Sequence, residues 1–560
     1  MTLRNTILLS DAPAEPSVLE RDGGFIGNST SLLLMILAAI AAHLSFSWMG
    51  FSPTDEGWVL ANSRRILAGQ VPYRDFFTIQ TVGTEYLHTP EVMFGGEYTF
   101  WISRLVVWLQ IAVIAWAWPQ IFAKLSHKNL AWRQRTALGL ICFVFTASTF
   151  PIMAWPTIDG LFIISVGLLL ALQPKSTSKL CGYFLIGLSY VCKQNFVVVF
   201  PAVLVLLGDW KKIRYWTAAI FPGVLFVGLL SVLGAIPDAI IQVGSARGFV
   251  QYAIMPYLMR KNVFIAIGLG LVATSLMYRK ERGASITGYI LVYLAVLACA
   301  MSLGTDLYWY SNHSSYILFG LSLGAALTLF FSKTGNYRTA TAGLLAVVVA
   351  WAVSISMGFD YPTLAGGVLV LFLVQIVLNA RGEIFGARYT LGVSLGLLMV
   401  VSLAAFSMGR YQHIYRDLPA SRLTARLDGV LPGGRFLRTN ANTYAFLSDL
   451  DLAISETHGV RYAIIPGFSA PWVKGKQLDP LLIDWPYFNT LPNQSMIIRL
   501  ENNIADRKGN VVFLIQKVEP AELKYGFEPL DESAYPKGVI SYVRAHFTKI
   551  GETKYFELRR

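Results

Sequence analysis

The sequence predicts an α-helical polytopic membrane protein of about thirteen spans followed by a C-terminal extracytoplasmic α/β domain. Three observations carry that expectation. Of 560 residues 54% are hydrophobic and only 14% charged, giving a mean hydropathy of +0.52, far too apolar for a soluble protein of this length. Apolar runs recur along most of the chain between short charged loops, and the residues after about 410 return to ordinary polar content.

Crossing the hydrocarbon takes roughly twenty apolar residues at about 1.5 Å per residue. Runs of that kind lie near 30–50, 101–122, 136–153, 156–173, 180–193, 195–208, 216–234, 262–278, 286–303, 315–331, 339–357, 363–379 and 389–407. The run after residue 29 continues to about Trp48 without a small-residue cleavage site and follows Asp11, Glu15 and Glu20 as well as Arg21, so it reads as a retained span and not a signal peptide.

Orientation follows from the retention of Lys and Arg on the cytoplasmic side. One alternate set of loops carries Lys124, Lys128, Arg133 and Arg135, then Lys175 and Lys179, Lys211, Lys212 and Arg214, Arg279, Lys280 and Arg282, Lys333 and Arg338, and Arg381 and Arg388. The loops around Asp306 and Asp360 carry none. Residues 1–29 are therefore expected inside, 30–408 in the membrane with a long first outer loop at 51–100, and 409–560 outside, in a bacterial inner membrane. The formal charge of +13 is accounted for by these loop clusters, which argues against nucleic-acid binding.

In the tail, Tyr462–Ile465 and Val511–Ile515 read as buried strands, and 442–457 and 537–547 have helical periodicity. The tail contains no glycine-rich phosphate loop, GxSxG or HExxH. Cys142, Cys181, Cys192 and Cys299 lie in or beside apolar runs without a CxxC pair or a His at ligand spacing, and read as packing residues.

The first outer loop concentrates the chemistry. It opens Phe51-Ser52-Pro53-Thr54-Asp55-Glu56-Gly57-Trp58. Ser52 as cap, Pro53 at the first helical position and Gly69 as terminator predict an amphipathic helix over about 53–68 on the membrane surface. Asp55 three residues after Ser52 fits a capping box, with Glu56 as a first-turn acid. Tyr73-Arg74-Asp75-Phe76-Phe77 adds a further acid among aromatics, more than a solvated loop needs.

The string from Asp55-Glu56 through Arg64-Arg65, Gly69, Pro72 and Tyr73-Arg74-Asp75-Phe76-Phe77 resembles the first outer loop of bacterial GT-C glycosyltransferases of the family-39 and RgtA/B/C/D-like group. Relatives of that group include protein mannosyltransferases and the aminoarabinose transferases of lipid A. Trp155-Pro156-Thr157-Ile158-Asp159 resembles the group's acid at the outer entrance of the fourth span, and Lys193-Gln194-Asn195 its Lys-Gln element.

The resemblance implies a polyprenyl-phosphate sugar donor, an envelope glycan, lipid or protein acceptor, and inversion at the sugar, with Asp55 as general base and Glu56 in support. A hydroxyl needs a positioned carboxylate to take its proton as the new bond forms. The leaving lipid phosphate needs cationic or metal stabilisation.

Substrate-binding candidates are Tyr73, Arg74, Asp75, Arg104, Asp159, Lys193 and His313. Arg104 reads equally as a snorkelling anchor, and Asp159 as a first-turn helix acid. Lys193 interrupts an apolar stretch, where an ionisable group is a functional hypothesis by default. His313 ends a polar aromatic loop, Thr305–Asn312, that an interfacial aromatic belt also explains. Arg247, Arg260 and Lys261 offer a basic interfacial surface. No spacing rule establishes a divalent metal, although Asp55 and Glu56 are the acids that would hold one. A secondary transporter or a non-catalytic envelope-assembly protein are the competing readings; most acids lie at one face and no internal repeat stands out, which favours an enzyme.

Overall fold

The computed structural model describes residues 24–128, 130–148, 151–244, 251, 253–305, 313–332, 336–356, 361–384, 388–486, 490–535 and 539–560. The Asp306 and Asp360 loops and Arg247 lie outside the described residues.

Each of the thirteen apolar runs is a helix. They are α1 (Gly24–Phe46), α3 (Thr99–Ser126), α4 (Trp132–Ala147), α5 (Pro156–Ala171), α6 (Ser176–Cys192), α7 (Val199–Leu206), α8 (Ile213–Val232), α9 (Lys261–Met277), α10 (Arg282–Ser302), α11 (His313–Phe331), α12 (Tyr337–Ser354), α13 (Gly366–Ile384) and α14 (Arg388–Gln412). Helix α2 (Trp58–Leu67) lies in the first loop. Among the described residues seven helices are long and apolar enough to cross a membrane by length and composition, and four more apolar helices are shorter.

Close packing explains why α5, α6 and α8 stay together. A Cβ on Gly182 would meet Ala171 N at 2.4 Å, and one on Gly187 would meet Ala219 O at 1.9 Å, so these backbones touch as only small residues allow. By contrast Val224, Leu225 and Val232 on α8 are exposed, as expected of a helix facing lipid.

After α14 come α15 (Ala441–Ser455), α16 (Gln494–Ala505), α17 (Val539–His546) and six strands. Short β1 (Ala425–Arg426) and β2 (Arg438–Thr439) pair antiparallel. Strands β3 (Arg461–Ile465), β4 (Val511–Gln516), β5 (Lys549–Glu552) and β6 (Phe556–Arg559) form a sheet of order β3-β4-β6-β5. β3 and β4 are parallel, the rest antiparallel. All six residues of β4 are buried, as a central strand covered on both faces requires.

The first loop does not lie free on a membrane surface. Phe51, Trp58, Val59, Leu60, Ala61 and Phe100 share one hydrophobic core with Leu427, Phe446, Leu450, Phe468 and Trp472 of the C-terminal region. The predicted surface helix over 53–68 is corrected on two counts. Residues 53–57 are turns, because Gly57 takes φ +112° and interrupts the helix, which begins at Trp58. Helix α2 is buried from Trp58 to Ser63, covered by the C-terminal region.

Candidate functional site

Half of the capping box predicted for Ser52 is present, in a turn and not at a helix start. Asp55 N donates to Ser52 Oγ at 3.3 Å and Ser52 Oγ donates back to Asp55 Oδ2 at 3.4 Å. Asp55 Oδ2 also accepts from Tyr415 Oη at 2.6 Å and pairs with Arg416 Nε at 3.1 Å. Its Oδ1 accepts no hydrogen bond from the described residues. The backbone is fixed from behind: Asp417 Oδ2 accepts from Phe51 N at 3.0 Å and from Thr439 Oγ1 at 2.7 Å.

Glu56 turns the opposite way. Arg104 Nε donates to its Oε1 at 2.7 Å and Nη2 to its Oε2 at 2.6 Å. The remaining Arg104 donors go to the carbonyls of Ser47 (2.6 Å), Met49 (3.2 Å) and Gly50 (2.7 Å). All five guanidinium N–H groups are occupied, and both side chains are 6% exposed. Two corrections follow. Arg104 has no donor left for a substrate phosphate, and Glu56, with both oxygens in a bidentate pair, anchors the turn and is not placed to take a proton. Nor do the two acids converge on one ion. Each faces its own arginine, so the donor set does not fit a shared divalent metal; among the described residues no cluster of three or more His, Cys, Asp or Glu does.

Between these clamps lies a small cavity of about 50 Å³, open to solvent. Ser52, Glu56 and Arg104 line one wall; Met153 comes from the loop before α5, and Arg410, His413 and Tyr415 from the end of α14. The Arg410 guanidinium lies 5.4 Å from the Trp108 ring centre and donates to Ala147 O. The Tyr415 phenol, the His413 imidazole and the Arg410 guanidinium thus meet beside the Glu56–Arg104 pair.

Tyr73, Arg74 and Asp75 are elsewhere. Tyr73 takes φ 67° and is fully buried with Val71, Val82, Leu230 and Ala235, its hydroxyl donating to Gln80 O at 2.8 Å. Arg74 and Asp75 pair at 2.9 Å, and Asp75 accepts from Val71 N at 2.8 Å. The Arg74 side chain lowers the Asp75 pKa, a hydrogen bond first and charge attraction besides. These three shape a turn and share no contact with Asp55 or Glu56, contrary to a common binding set.

Asp159 opens α5 as predicted, but inside a polar cluster the sequence reading did not anticipate. Its Oδ1 accepts from Gln110 Nε2 at 2.6 Å, and His88 Nε2 lies 3.2 Å from both oxygens. His88 Nδ1 lies 2.7 Å from Glu91 Oε1. Burial pulls the His88 pKa down, yet the charge and hydrogen bond of Asp159 and those of Glu91 outweigh it and hold the ring protonated, at about 10. Glu85 is completely buried and raised to about 8 by that burial, with the Asp159 charge adding to it. Lys193 sits beside the same helix start, its Nζ donating to Thr157 Oγ1 at 2.8 Å.

The structure therefore brings Glu56 and Arg104 together, and sets Lys193 on Thr157 in the first turn of the helix that carries Asp159. His313 opens α11, but its side chain lies outside the described residues. Missed in the sequence were Arg410, His413, Tyr415 and Arg416, whose signal is a polar aromatic cluster directly after the last apolar run. Glu85, His88 and Glu91, three residues apart on a short helical path, were also missed.

Among solved structures the chain is similar to ArnT from Cupriavidus metallidurans bound to undecaprenyl phosphate, with 10% identity over 95% of this chain and 98% of that chain and a TM-score of 0.41. The same protein in the apo state gives 11% identity, 95% and 98% coverage and a TM-score of 0.42. No family model and no curated protein matches the chain.

Proposed function

We propose that this chain is a GT-C-type membrane glycosyltransferase that moves a sugar from a polyprenyl-phosphate donor to a hydroxyl of an envelope glycan, lipid or protein on the outer face of a bacterial inner membrane. The observation that carries the reading is the placement of Asp55. The carboxylate suggested by the loop resemblance is held by Tyr415 and Arg416, its neighbours Ser52, Glu56 and Tyr415 line a cavity with Arg410 and His413, and among the described residues one of its oxygens accepts no hydrogen bond.

In the proposed reaction the acceptor oxygen attacks the anomeric carbon while Asp55 takes its proton. The bond from that carbon to the phosphate oxygen breaks, and the lipid phosphate leaves with the electron pair. Attack from the side opposite the phosphate inverts the centre. Arg410, which faces the cavity, replaces Arg104 as the group to neutralise the departing phosphate.

Orientation is supported by packing. The first loop and the C-terminal region share one core, so they lie on the same side of the membrane, and the twelve apolar helices α3 to α14 between them return the chain to that side. The charge pattern of the loops makes that side the outer one.

Asp55→Asn keeps the shape and one acceptor oxygen and removes the base. It is expected to insert normally and to lower transfer by about 10²- to 10⁴-fold. Mass spectrometry of envelope lipids and glycans with the gene intact, deleted and mutated reads both the product and the loss; parent-level product from the Asn variant would remove Asp55 from the mechanism.

A further inference from the structure

Residues 470–484 of the C-terminal region lie against the helix that follows the Asp55–Glu56 turn. Arg64 Nη1 donates to Trp472 O at 2.7 Å. Arg65 Nη2 pairs with Asp479 Oδ2 at 2.9 Å, and its Nη1 reaches Leu481 O at 3.0 Å and Gln70 Oε1 at 3.3 Å. Phe77 N donates to Leu482 O at 2.7 Å. At Gly57, where α2 leaves the acidic turn, a Cβ would come 2.7 Å from Ala470 Cα. The C-terminal backbone therefore touches the hinge itself.

The Arg65–Asp479 pair is a poor choice for stability alone. The two side chains are 2% and 1% exposed, and such a pair gains little over apolar residues of the same size, because removing both charges from water offsets their attraction. A second buried acid, Asp484, also faces Arg65. Two acids share one cation, and burial, outweighing Arg65, raises Asp479 to about 7. What a buried pair does supply is register: a fork and a carboxylate meet in one geometry, whereas apolar side chains slide.

We infer that Arg65 and Asp479 are a positioning pair, through which residues 470–484 set the direction of α2 and so the Gly57 turn, which follows Asp55 and Glu56. The link to activity rests on the proposed sugar transfer; the link to geometry does not. The C-terminal region is then a guide for the first loop as well as a cover over it.

The test uses the full chain in lipid nanodiscs, with Leu67→Cys and Lys476→Cys spin-labelled in a Cys181→Ser background; Leu67 and Lys476 are exposed, and of the native cysteines only Cys181 is. Electron–electron resonance then measures the distance from α2 to the C-terminal segment. Asp479→Asn preserves shape and leaves the Asp484 carboxylate still acting on Arg65 through its charge. It is expected to unfold no earlier than the parent, yet to broaden the distance distribution. In unlabelled protein it is expected to lower transfer in cells about tenfold or more, since small misplacements of reacting groups are costly. Asp479→Glu, which keeps a carboxylate, is expected to fall between the two.

An unchanged, narrow distribution in Asp479→Asn overturns the pair. A broadened one with parent-level transfer overturns its role in positioning the site. An early unfolding transition in Asp479→Asn means that the pair is only structural, which also overturns the inference. If the parent itself transfers no sugar, the proposed function fails while the distance measurement still decides the geometry.

Discussion

Glu56 and Arg104 offer the sharpest energetic test. Two charge-assisted N–H···O contacts of 2.6 and 2.7 Å join a carboxylate and a guanidinium that are both buried. Removing either partner leaves the other charge in a poorly hydrated site, at a cost of about 3–5 kcal/mol. Removing both leaves no stranded charge, although the carbonyls of Ser47, Met49 and Gly50 lose their donor in Arg104→Met with or without Glu56. That shared loss cancels in a double-mutant cycle. Glu56→Met, Arg104→Met and the double variant, unfolded by denaturant in nanodiscs, should therefore give a coupling of about 3 kcal/mol, near the upper end for contacting residues. A coupling below about 0.5 kcal/mol would refute the anchoring role and reopen Glu56 as an acid in the reaction.

Further outcomes follow from the buried charges and the topology. Glu85 and His88 both carry folded pKa values above their ordinary ones, 4.5 to about 8 and 6.5 to about 10. The folded state therefore binds more protons, so their contribution is complete at low pH and lost as pH rises through those windows. The unfolding midpoint should fall from pH 5 to 10, with Glu85→Gln flattening the lower part; a curve unchanged by that substitution contradicts the burial argument. Lys193→Met replaces a buried ammonium by an apolar chain of similar length, and should leave stability equal or higher while lowering transfer at least about tenfold, as expected where a buried cation serves function more than folding. Unaltered transfer removes Lys193 from the site. Single cysteines at Glu97 and Tyr525, both exposed, should react with an impermeant reagent on intact spheroplasts; protection of either reverses the proposed orientation.

The helical skeleton was legible because lipid imposes one rule on every span, an unbroken apolar run, and each of the thirteen runs is a helix. The strands at 461–465 and 511–516 were legible from their apolar runs Tyr462–Ile465 and Val511–Ile515. What local pattern could not show was which polar group meets which. Arg104 read as an interfacial anchor or a ligand because Glu56 stands 48 positions away. The Ser52-Pro53 start suggested one helix, since nothing nearby indicates that Ala470 presses against Gly57 and holds it out of helical geometry. Asp55 stands out in the loop pattern, but its partners Tyr415 and Arg416 lie just past the last apolar run, where no local pattern ties them to it.

The grip of Tyr415 on Asp55, across 360 positions of chain, has a consequence for biogenesis. A ribosome making this protein releases the first loop long before α14 and the residues behind it exist, and domains take shape in the order they emerge. Until then Asp55 has neither its phenol nor its guanidinium, and the cavity lacks the wall formed by Arg410 and His413. If the proposed transfer holds, competence for it belongs to the finished polypeptide alone, and a nascent or truncated chain in the same membrane is expected to be inactive.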